Sequence, residues 1–212
     1  ADAIAHARKA GDGARKQGRK FPEAFTHAIE GLALVYQGEL VGGMERLDTG
    51  IRLAREIANR YLELNVVVYR LEALLHLGRF APAESELAKA RDLAAAIQND
   101  ELLPKLDRID AALAVATWAS DAGEKVLKVL EAARRDERPV AIAHALRWQA
   151  DRLLRDQQLD VALTLVEEAS LLATASDLAL LGGELRELWG RLLQGIDADA
   201  ATEEGLLLHS SL

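Results

Sequence analysis

The five histidines, His6, His27, His76, His144 and His209, are the first residues to test for chemistry. No two are spaced i, i+4, so no helix carries a ready zinc pair, and the His-Glu-x-x-His arrangement is absent. There is no cysteine, which removes disulfides, thiolate metal sites and a thiol nucleophile, and which fits a reducing, cytoplasmic compartment. Neither a phosphate-cradling glycine loop nor a Gly-x-Ser-x-Gly elbow occurs; Gly11, Gly13, Gly42 and Gly43 lack the preceding strand such loops need. Acidic neighbours such as Glu167–Glu168 and Glu203–Glu204 read as solvated helix surface rather than general acid and base. The expectation is a chain with no catalytic residues, no metal and no cofactor.

The elements that would position any binding residues are helices. Half of the residues are hydrophobic but only 4% are aromatic, so packing falls to Leu, Val, Ile and Ala. Ala, Leu, Glu and Arg favour helix. Pro22, Pro82, Pro104 and Pro139 all fall near helix starts, where the missing N–H costs nothing. Val66, Val67 and Val68 are the one strand-like run, inside a helical pattern. No apolar run reaches the ~18 residues of a membrane span.

Residues 77–90 carry the organising pattern. Gly78 ends one helix, Phe80 plugs the turn, and Ala83 and Ala90, seven apart, put small side chains on one face of the next. The same spacing appears as Gly38, Leu40, Gly43, Gly50 and as Gln157, Leu159, Ala162, Ala169. It is partial around Ser120 and degraded after Gly195. Turns at 38, 78, 120, 157 and 195 give a period of 37–42 residues, the mark of a helical repeat array.

This turn signature resembles the tetratricopeptide repeat (TPR), in a long-period form similar to that of bacterial multidomain regulators of the maltose-activator type. The resemblance implies an all-α, right-handed superhelical solenoid of antiparallel helix pairs, ten or eleven helices in one domain over residues 1–212. A partial repeat at 1–20 precedes repeats at about 21–61, 62–100, 101–138, 139–177 and 178–212. Helix pairs are expected at 22–37 with 42–60, 62–77 with 81–98, 101–119 with 123–135, and 139–156 with 160–175. A fifth first helix spans 178–194. Residues 1–12 are read as a partial helix, Gly11, Gly13 and Gly18 as the linker after it, and residues 199–208 as a short covering helix presenting Leu206, Leu207 and Leu208. The opening reads as a piece of a longer protein.

The resemblance also implies a concave groove lined by the first helix of each pair. Carried over by position, it assigns Tyr36; Asn65, Glu72 and His76; Asp107, Asp110 and Trp118; and His144, Arg147, Asp151 and Arg155 to a partner-binding surface. The last four form one polar stripe at i, i+3, i+7 and i+11. Glu30, Arg70 and Gln149 then occupy positions the family keeps apolar. Asn65 suits a chaperone-type carboxylate clamp, but no lysine accompanies it, so that role is not expected. Trp148 and Trp189 are read as core.

The formal net charge of −8 repels phosphate backbones and argues against direct nucleic-acid binding. Residues 53–69 lack the glycine turn of a DNA-reading helix pair. The basic cluster Arg8, Lys9, Arg15, Lys16, Arg19 and Lys20 reads as a solvated helix end, and Arg52, Arg55, Glu56 and Arg60 as an exposed face with i, i+4 ion pairs. The functional expectation is an interaction scaffold that holds a protein or peptide partner, or a sister domain, in the groove. The alternatives are a ligand-sensing segment of a transcription regulator and a self-association module that forms a homodimer.

Overall fold

The computed structural model describes residues 2–176 and 179–199. Those residues form ten α-helices and no strand: α1 (Asp2–Lys16), α2 (Lys20–Tyr36), α3 (Leu40–Glu56), α4 (Arg60–His76), α5 (Phe80–Ala96), α6 (Leu103–Ala116), α7 (Ala122–Arg135), α8 (Pro139–Arg155), α9 (Leu159–Ala175) and α10 (Ala179–Asp199). No helix among the described residues is long and apolar enough to cross a membrane.

The joints are uniform. Left-handed residues stand at Gly18, Gly38, Ala58, Gly78, Gln98 and Trp118, twenty residues apart, and then at Glu137 and Gln157. At Gly78 the N–H of Arg79 donates to the Leu74 carbonyl (2.9 Å) and that of Gly78 to Leu75 (3.0 Å). The same pair of bonds closes the turns at Gly18, Gly38, Ala58, Gln98, Glu137 and Gln157. These bonds satisfy carbonyls that a helix end leaves without partners. They stabilise the turn whether or not glycine holds the left-handed position.

Several expectations shift accordingly. Gly11 and Gly13 lie inside α1, not in a linker; only Gly18 turns the chain. The turn expected at Ser120 has its left-handed residue at Trp118. Gly195 makes no turn, and α10 continues through it to Asp199. The missing glycine at 53–69 does not prevent a tight turn, because Ala58 makes it. The covering helix expected at 199–208 lies outside the described residues.

The chain divides into two compact units, Ala1–Thr117 and Trp118–Leu212. In the first, α4 packs against α2, α3, α5 and α6. It is consequently apolar most of the way round, burying Leu62, Leu64, Val66, Val67, Val68, Leu71, Ala73 and Leu74. Burial of all three overrides the small helix penalty of the valines. In the second unit, α8 plays the same part between α7, α9 and α10, burying Ala143, Ala145, Leu146, Trp148, Ala150 and Leu153.

Small residues set the closest crossings. A Cβ on Gly31 of α2 would lie 2.8 Å from the Gly43 carbonyl of α3, and one on Gly50 would lie 3.0 Å from the Ala24 carbonyl. Ala83 and Ala90 of α5, and Ala162 and Ala169 of α9, are likewise buried at seven-residue spacing. The small stripe foreseen in these three helices is thus a buried one.

Candidate functional site

The first helices of the pairs carry the expected groove residues, and the structure gives many of them partners one repeat away. In the first unit, α2 packs on α4 and α4 on α6. Tyr36 of α2 meets His76 of α4 edge to face, with ring centroids 5.3 Å apart. Arg108 of α6 donates to Glu72 of α4. Tyr61 at the start of α4 donates to Glu101 at 3.1 Å, just ahead of α6. Asn65 turns inward along its own helix and donates to the Tyr61 carbonyl. Asp107 and Asp110 bind across to α5, where Arg91 Nη2 donates to both, at 2.8 and 3.1 Å.

In the second unit the polar stripe of α8 is drawn into one network. Asp151 is buried, and both its oxygens accept: Oδ2 from Arg155 at 2.6 Å, Oδ1 from Arg191 of α10 at 3.2 Å. Arg147 lies 3.3 Å from Glu184 of α10. His144 tilts against the buried Trp148, with centroids 5.9 Å apart. Arg155, held from behind by Asp151, lays its guanidinium 4.0 Å from the centre of the Trp118 ring.

Trp118 is the outlier of this surface. It is 70% exposed and sits at φ 61°, in the left-handed region. That conformation costs an L-residue about 1–2 kcal/mol. An exposed cation–π stack returns only about 0.5–1 kcal/mol. Fold stability therefore does not account for a tryptophan here: the equivalent turns hold Gly18, Gly38 and Gly78, or the smaller or more polar Ala58, Gln98, Glu137 and Gln157. What the arrangement offers is an exposed aromatic plate with a guanidinium stacked against it.

Comparison with models of known protein families and with curated proteins finds no match for this chain. Among the described residues, no group of three or more His, Asp or Glu side chains is placed to hold a metal ion.

Glu30 and Gln149, out of place in an apolar pattern, are buried, and Glu30 is only 4% exposed. Arg8 Nε of α1 donates to Glu30 at 2.7 Å, and Arg46 Nε of α3 lies 3.5 Å from its other oxygen. His27, 6% exposed, has Nδ1 3.5 Å from Arg46 Nη1. Burial, then Arg46 and Arg15, pushes its pKa below the ordinary histidine value. Glu30, by hydrogen bond and charge, holds the Arg8 guanidinium above its ordinary value. Arg15 is engaged in the same way by Glu23. Two members of the basic cluster thus fasten α1 onto α2 instead of facing water alone. A 210 Å³ cavity lies among these side chains.

The residues that the sequence did not point to are the partners: Arg91, Arg108, Glu184 and Arg191. A signal existed. Tyr36 and His76, Asp151 and Arg191, and Tyr61 and Glu101 are each 40 residues apart, and Glu72 and Arg108 are 36 apart. Complementary side chains offset by one repeat are neighbours when first helices pack in a row.

Proposed function

We propose that this chain is a protein-interaction module of TPR-like type, a right-handed superhelical array working in the cytoplasm. It holds a segment of a partner, or of a sister domain, against the α8 face of the second unit, with Trp118 as the anchor. The observation that carries this reading is the exposed Trp118 at a left-handed turn, braced by Arg155 and through it by Asp151. Aromatic and arginine side chains dominate binding energy at interfaces, because a flat ring removes much apolar surface from water with little entropy left to lose. Three cations, Arg147, Arg155 and Arg191, stand there against Glu184 and Asp151, so the partner segment should bring an acidic or carbonyl-rich stretch beside its apolar residue.

Trp118→Gly tests this reading with the fold held intact, since glycine suits the backbone better than tryptophan does. Wild type and variant are used to capture partners from a lysate of the source cells. The expected outcome is a captured protein that the variant loses, while its melting temperature stays equal or rises. Equal capture by both proteins removes Trp118 from the binding surface and with it this reading.

A further inference from the structure

A second surface lies in the first unit, along α4. Helices α3 and α5 both pack on α4 but not on each other, which leaves a trough of about 760 Å³ between them. Six charges line it: Arg55, Arg60, Arg70 and Lys89 against Glu63 and Glu86. Both carboxylates are already engaged. Arg55 Nε donates to Glu63 at 2.6 Å, and Arg70 Nη1 donates to both oxygens of Glu86 at 2.8 Å. Arg60 and Lys89 make no ion pair or side-chain hydrogen bond with any described residue. Cationic excess stands out on a chain of net charge −8.

We propose that this trough binds an extended acidic peptide segment, whose carboxylates pair with Arg60 and Lys89. Three features choose that occupant. The α4 residues that line the trough run from Arg60 to Arg70, roughly 15 Å of helix axis, a span for a chain rather than a compact ion. The floor includes Val67 and Leu93, which receive apolar side chains between the charges. No lining side chain is aromatic, so the bases of a nucleic acid have nothing to stack on.

The test is fluorescence anisotropy on the full chain with a labelled hexapeptide of alternating glutamate and leucine. Arg60→Glu/Lys89→Glu is compared with Lys9→Glu/Arg19→Glu, which changes net charge equally at exposed sites outside the trough. The expected result is binding by the wild type that weakens at least about ten-fold in the trough variant and less than about two-fold in the control. The neutral variant Arg60→Ala/Lys89→Ala should weaken it in the same direction, and far-ultraviolet circular dichroism checks that all variants stay helical. Equal losses in trough and control variants would reduce the effect to net charge and overturn the proposal. So would no binding by the wild type, or equal affinity for a single-stranded oligonucleotide of matched charge. Trp118→Gly is measured beside them: a loss in that variant as large as in the trough variant would seat the peptide on the α8 surface and overturn the proposal.

Discussion

At the scale of single residues, His27 makes stability depend on pH. It is enclosed by Arg46 and Arg15 on the cationic side and by Glu23 and Glu30 on the acidic side. Burial and the two arginines favour its neutral form, so its folded pKa lies below the unfolded value of about 6.5. Above that pH neither state takes up a proton, and the contribution is intact. As pH falls below about 6.5 the unfolded chain binds the proton first, and stability declines until the folded pKa is passed. Thermal melts at pH 7.5, 6.5 and 5.5 should show the wild type losing more than His27→Gln across that range; parallel losses would place the sensitivity elsewhere. Little of this was legible beforehand. Glu30 and Gln149 stood out only as polar residues in apolar positions, and which cation would reach Glu30 depended on how α1 crosses α2. The stripe His144, Arg147, Asp151 and Arg155 was legible as a face, but not that Asp151 is buried and spent on two arginines.

Helices respond to glycine in opposite ways according to what lies beyond the missing Cβ. At Gly31 the obstacle is backbone, with the Gly43 carbonyl at 2.8 Å and the Leu47 nitrogen at 3.0 Å. Gly31→Ala gains helix propensity of up to about 1 kcal/mol. It must also force α2 and α3 apart, an overpacking cost of about 1–3 kcal/mol, and backbone cannot swing aside, so destabilisation wins. Gly190, within α10, has nothing within 4 Å of its added Cβ. Gly190→Ala should therefore stabilise by about 0.5–1 kcal/mol. Denaturant midpoints of the two variants check both signs. The glycine turns at 38 and 78 could be read from sequence because few other residues accept that backbone cheaply. Glycine alone does not make a turn, as Gly195 inside α10 shows. Trp118 hid its own turn because a bulky aromatic is the last residue expected there.

Across the whole molecule, the two compact units predict two levels of local stability. Hydrogen exchange on Gly31→Val should accelerate amides of α1–α6 more than those of α7–α10; a uniform change would mean that the chain opens as one. The even step between joints has a further consequence, for heredity. Asn59 and Asn99 hold the same place in successive repeats, each side chain accepting the N–H three residues on, from Leu62 at 2.9 Å and Leu102 at 3.2 Å. A recombination event that excised residues 59–98 would set Asn99 directly after Ala58, and the joint would again be followed by an asparagine whose side chain accepts the N–H three residues on. Gain or loss of genetic material in that unit leaves every joint grammatical. An insertion of a few codons inside a helix would instead rotate the buried alanines of that helix away from their neighbours. Such a gene can alter the length of its product in whole repeats while point selection goes on tuning what each face binds.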